Sequence, residues 1–185
     1  MRTLRLPLVL ALAALAAAGC ILTSAQILAH YELPNPFIID SATTQTVRID
    51  VDLNTVSEYT DNKDKLKGLS DVAIVGKFTN LSATPGGVEV WITPGTTAFT
   101  TKSEVTSGAT LLWGPATVGG SGTSTAVHDV GWDESAQLFH AAGRKILIDE
   151  GLGDGQFTLY TIGTAGVYRI RVDAGSMILT ISAGI

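Results

Sequence analysis

Apolar and polar residues alternate with a period of two along most of the chain. In TVRIDVDL, Val47, Ile49, Val51 and Leu53 fall on one face and Arg48, Asp50 and Asp52 on the other, the pattern of a strand with one buried face and one wet face. GGVEVWIT repeats it with Val88, Val90 and Ile92 against Glu89, Trp91 and Thr93, and AQILAHYEL, GQFTLYTIG and GVYRIRVD do the same. The run DVAIVGKF, Asp71 to Phe78, is apolar on both faces at its start, which suits a strand in the middle of a sheet. In DAGSMILTIS, near the end, Ala174 and Gly175 read as a short hairpin turn.

Two segments change the period. TVSEYTDNKDKLKGL has Thr55 and Glu58 spaced as a capping box, Val56, Tyr59, Leu66 and Leu69 at roughly helical intervals, and Gly68 as a stop. WDESAQLFHAAG has Asp133 as an N-cap, Ala136, Phe139 and Ala142 along one stripe, and Gly143 as its stop. Each glycine is followed by a strand pattern, DVAIVGKF or KILIDE, and then by a further strand, GGVEVWIT or GQFTLYTIG.

Strand, helix, strand, strand therefore reads twice, offset by 75 positions from Gly68 to Gly143. The expected architecture is mainly β, a single antiparallel β-sandwich with two short peripheral helices, and an internal β-α-β-β pseudo-repeat stays open. TAFTTKSEVTSGATLLWGPATVGGSGTSTA, rich in Gly, Ser and Thr, reads as a long surface connection with one short strand around Leu111 to Trp113. A transmembrane barrel would need more strands of about 9 to 11 residues and two aromatic girdles, and aromatics make up only 6% of this chain.

The start of the chain is different. Arg2 and Arg5 precede an apolar run, Leu6 to Ala18, whose length falls well short of the roughly 20 residues of a spanning helix. A basic start, a short apolar stretch and small residues at its end mark a secretory signal peptide. Ala16, Ala17, Ala18 and Gly19 lead directly into Cys20, the only cysteine, and this arrangement resembles the lipobox of bacterial lipoproteins. The resemblance implies that Cys20 receives a diacylglyceryl group and becomes the first residue of the mature chain. It departs from the usual lipobox in placing Ala17 where Leu commonly stands. Ordinary cleavage after an Ala-x-Ala site, leaving an incidental thiol, is the competing reading.

The expected organisation is thus a signal peptide over 1–19, a lipidated N-terminus and short tether over 20–25, and a sandwich domain over 26–185. A single cysteine allows no internal disulfide, so the 166 residues from Cys20 onward must fold on their core alone. Without the leader they carry 10 basic against 17 acidic residues, a balance that argues against nucleic acid and against electrostatic docking on anionic lipid. Acyl chains on Cys20 would then supply the membrane attachment. Ile21 stands where an Asp would signal inner-membrane retention in proteobacterial lipoproteins, which favours the outer membrane where the host has one.

Candidate chemistry is sparse. G-x-S-x-G and H-E-x-x-H are both absent from the sequence, and His30, His128 and His140 stand far apart in it. DEGLGDGQF spaces three glycines like half a dinucleotide fingerprint, but a strand follows where a helix is needed, so it reads as a hairpin. Its oxygens, from Asp149, Glu150 and Asp154, are weak calcium candidates, since their spacing matches no EF-hand loop. Neighbouring carboxylates such as Asp133 and Glu134 point apart and form no acid and base pair by themselves. No cofactor is implied. Trp91, on the otherwise polar face of its strand, is the candidate contact residue for a ligand or partner, against the commoner alternative of a tryptophan packed under a loop or helix.

Three functional classes follow. The first is a non-enzymatic, membrane-anchored lipoprotein that presents a recognition or structural surface to a partner. The second is a carrier with an apolar ligand inside the sandwich, which needs a cavity. The third is a secreted enzyme, which needs the histidines and carboxylates to converge.

Overall fold

A computed structural model describes residues 24–43, 45–120 and 125–184. Among them the strands are β1 (Ser24–Glu32), β2 (Phe37–Asp40), β3 (Val47–Asp52), β4 (Leu66–Asn80), β5 (Gly86–Pro94), β6 (Thr110–Val118), β7 (Ala126–Val130), β8 (Gln156–Gly163) and β9 (Arg169–Gly184). One sheet has the order β1-β9-β4-β7, with β2 continuing beside β9 on the β1 side; the other has the order β3-β8-β5-β6. All pairs are antiparallel. After β2, only the β5–β6 connection stays within one sheet; every other one crosses to the opposite sheet. This interleaved order, with β1 and β2 together filling the first place, is that of a jelly roll.

The alternation determines which side chains meet between the sheets. Ile49 and Val51 of β3, Val88, Val90 and Ile92 of β5, and Phe157 and Leu159 of β8 face Val72, Ile74 and Phe78 of β4 and Ile170, Val172, Met177, Leu179 and Ile181 of β9 in one buried cluster. β4 lies inside its sheet, as its two-sided apolar start predicts.

Ala174 and Gly175 are not a hairpin turn, because β9 runs straight through them for 16 residues. The buried phase changes there, from Ile170 and Val172 to Met177, Leu179 and Ile181, and a chain cannot change phase without an extra residue. Asp173 is that residue: β4 pairs Lys77 with Ala174 but the next residue, Phe78, with Val172, leaving a bulge. At the same point the partner on the other side of β9 changes from β2 to β1.

The helical expectations also need correction. In place of a helix ending at Gly68 there is a 3-10 turn (Leu53–Thr55), a single turn α1 (Ser57–Thr60) and a second 3-10 turn (Lys63–Lys65). The Thr55 and Glu58 box does not form; Asp52 accepts the Asn54 N–H instead, and Gly68 lies inside β4. The connection after β5 contains a helix that sequence periodicity missed, α2 (Lys102–Gly108), and this one does carry a capping box, from Thr101 and Glu104. The short strand expected at Leu111 is the nine-residue β6.

WDESAQ forms α3 (Trp132–Gln137), with Gly131 rather than Asp133 at its cap, and KILIDE is helical within α4 (Ala141–Leu152). Gly143 is therefore no stop. A Cβ on it would stand 2.4 Å from Leu111 O and 2.5 Å from Leu112 Cα, so glycine permits α4 to lie directly on the β6 backbone. The 75-residue offset aligns a strand glycine with a helix glycine, and the β-α-β-β order is not repeated.

Candidate functional site

Cys20 and the leader lie outside the described residues. The other candidates are distributed over the sandwich rather than gathered in one place.

Trp91 is half-buried on the outer face of the second sheet. The connection after β5 folds back over this face: Gly95 O accepts from Thr158 Oγ1 at 2.9 Å, Thr97 O accepts from the Tyr160 hydroxyl, and the Phe99 ring lies 5.6 Å from that of Tyr160. Val105 of α2, Tyr160 and Ile162 form a small second core, against which Trp91, Phe99 and Ala109 pack. Trp91 Nε1 donates to Glu89 Oε2 at 3.1 Å. The indole is thus packed beside the loop and helix above it, and its polar atom is already engaged.

The acidic loop is also internally occupied. Asp149 Oδ2 accepts from Lys145 Nζ at 2.6 Å, and Asp154 Oδ1 accepts from Gln156 N at 2.9 Å. Lys63 Nζ donates to Asn54 Oδ1 at 2.8 Å and to the Asp154 backbone carbonyl at 3.0 Å, so an ammonium already lies against this loop. Burial, reinforced by the Asp154 and Asp149 carboxylates, raises the Glu150 pKa, whereas hydrogen bonding, foremost from the Asn54 side chain, lowers that of Asp52. Among the described residues no group of three metal-ligating side chains converges.

The histidines do not meet. His30 on β1 and His128 on β7 occupy opposite edges of one sheet, and His140 stands at the start of α4. His128 Nε2 lies 2.8 Å from Glu134 Oε1, and His140 Nε2 lies 2.7 Å from Gly114 O. These pairs join neighbouring elements, β7 to α3 and α4 to β6.

Two apolar voids in and beside the core measure about 10 and 20 Å³. Sites for small organic ligands are on the order of 300–1,000 Å³. A larger surface cleft, about 240 Å³, opens between β2, β8 and the start of α2, lined by Asp40, Thr43, Gln45, Thr46, Lys102 and Thr161 among others. Lys102 Nζ donates to Ser41 O at 3.1 Å and Asp40 O at 3.3 Å, and the Asp40 carboxylate pairs with Arg169 at 3.3 Å. Burial lowers the Lys102 pKa, with the Asp40 charge opposing it. The cleft offers hydroxyls, an amide, the Lys102 ammonium and the ion-paired Asp40 and Arg169, a set suited to holding a polar group. Its residues come from four separated stretches, so no local signal in the sequence could have assembled it.

Ser135 is the buried polar group that sequence reading missed. Fully buried on α3, its Oγ accepts from Ile74 N of β4 at 2.7 Å and from Trp113 Nε1 of β6 at 3.0 Å. One hydroxyl therefore ties α3 to both sheets.

No known protein family matches the chain, and no curated protein does. Among solved structures, a chain of Desmodium yellow mottle tymovirus overlaps 87% of this chain and 90% of its own length, at 16% identity and a TM-score of 0.23. A likeness at that level carries no argument about function.

Proposed function

We propose that this protein is a membrane-anchored, non-enzymatic lipoprotein whose sandwich presents a recognition or structural surface close to the bilayer. The observation that carries this reading is the AAAGC sequence closing a short apolar run after a basic start. β1 begins at Ser24, four residues beyond Cys20, so a tether of about 14 Å would separate an acylated cysteine from the folded domain. Two or three acyl chains on one cysteine hold a protein durably where one does not. The filled interior supports presentation of a surface over transport of a ligand within. Ile21 rather than Asp after the cysteine favours the outer membrane where the host has one.

An intact mass of the protein extracted from host membranes tests the anchor. Residues 20–185 plus a diacylglyceryl group, with or without an added acyl chain, are expected, and Cys20→Ala should move the protein out of the membrane fraction. An unmodified mass beginning elsewhere overturns the reading.

A further inference from the structure

A sandwich that is not a closed barrel has open sheet edges, and an open edge is a template for another strand unless something blocks it. Most edges here are blocked. Along β6, Gly114 N donates to Leu138 O, His140 N donates to Leu112 O, Trp113 forms a bridge with Phe139, and Pro115 has no N–H to offer. Along the part of β4 beyond β7, Ile74 N donates to Ser135 Oγ and Arg144 donates to Ser70 O. β7 is five residues long, and β2 has four and follows Pro34 and Pro36. β3 carries Arg48, Asp50 and Asp52, and its Asp50 carbonyl accepts the Tyr31 hydroxyl.

β1 differs from all of these. It is nine residues long and pairs with β9 without a register shift from Ser24 to Glu32. Its sequence, SAQILAHYE, has no proline, lysine or arginine, and its one carboxylate is at the last position. Leu28, at its centre, is 58% exposed on the outer face. Among the described residues, no hydrogen bond from another element reaches its outer row of backbone groups.

We propose that the outer edge of β1 pairs antiparallel with the same edge of a second copy of this chain, joining the two β9-centred sheets into one. Residues directly opposed across an antiparallel pair share a face, so the two-fold axis must pass through a residue position. The register that pairs all nine residues places the axis at Leu28. Gln26 then stands opposite the second copy's His30 and Ser24 opposite its Glu32, while Leu28 meets its own equivalent. No like charges are opposed, and Leu28, exposed at the centre of the strand, is covered. A foreign strand would find the same backbone groups, but this symmetry gives the self-pairing its specificity.

The full chain, purified in mild detergent, should have twice the single-chain protein mass by native mass spectrometry. Leu28→Lys places a charge against its own copy at an exposed position and should give a single-chain mass while still melting cooperatively, with a midpoint that no longer depends on protein concentration. Leu28→Cys should form a covalent dimer under oxidising conditions that the wild type, with Cys20 alone, does not. The proposal is overturned by a wild type of single-chain mass, by a dimer that survives Leu28→Lys, by failure of Leu28→Cys to cross-link, or by a different polypeptide bound to the edge.

Discussion

Residues 66–80 and residues 141–152 each place a glycine near the start of a run of branched apolar side chains, one forming β4 and the other α4. Gly68 has open space where a Cβ would stand, whereas Gly143 has the β6 backbone there. β4 lies between β9 and β7 and is apolar on both faces over Val72 to Ile74. α4 buries a narrow stripe, Gly143 and Leu147, and keeps Lys145 and Asp149 in water, where they form an i,i+4 ion pair. A short apolar run does not choose its own secondary structure; the surface available to bury it does.

The largest expected effect breaks this contrast at Gly143. Gly143→Ala should add about 1 kcal/mol of helix propensity yet lose about 3 kcal/mol to the clash with Leu111 and Leu112, a net fall of roughly 2 kcal/mol in urea unfolding. A gain in stability would mean that α4 does not lie on β6. Next, Ser135→Ala should cost about 2 kcal/mol, because the buried Ile74 N–H loses its acceptor, and amide exchange at Ile74 should accelerate beyond that at Leu179. Equal acceleration at both would assign the loss to global stability alone.

Lys63→Met removes the ammonium held by Asn54 and Asp154 near the surface and should cost about 0.5 kcal/mol. Added calcium should leave the wild-type melting temperature unchanged; a rise would show that a metal competes for those oxygens. Gly68→Ala should go the other way from Gly143→Ala and raise stability by about 0.5 kcal/mol, since a strand glycine gives up more freedom than alanine and nothing crowds the new methyl.

The smallest effect concerns pH. Asp52, at the end of β3, has a lowered folded pKa, so its contribution is present above its unfolded value and lost as pH falls through the folded one. Glu150, within α4, has a raised folded pKa, so deprotonation weakens the fold as pH rises from its unfolded value through the folded one. Asp52→Asn should therefore flatten the acid limb of a stability profile, while Glu150→Gln should remove a decline above it. The same change of slope from both variants would contradict the opposite environments.

Two T-x-x-E sequences show how far local spacing reaches. Thr101 and Glu104 close a capping box on α2, with Glu104 accepting from the Thr101 and Thr100 N–H groups at 2.9 Å each. Thr55 and Glu58 have the same spacing and do not, because the chain there must turn from β3 in one sheet to β4 in the other within 13 residues. The candidate residues behave similarly. Trp91 alternates outward with the polar side chains of β5, as its position in the sequence requires, and only the folded-back connection after β5 determines that it is packed.

By itself the sequence determined the strands that alternate, the faces they bury, the two-sided character of β4 and the sandwich class, because a period of two depends only on neighbouring residues. It also carries the AAAGC signature whole, in consecutive positions. The tertiary structure decided the strand order, the bulge at Asp173, the helical state of KILIDE and the tie made by Ser135. Each of these depends on a surface supplied by residues distant in the chain, so no local pattern could specify it.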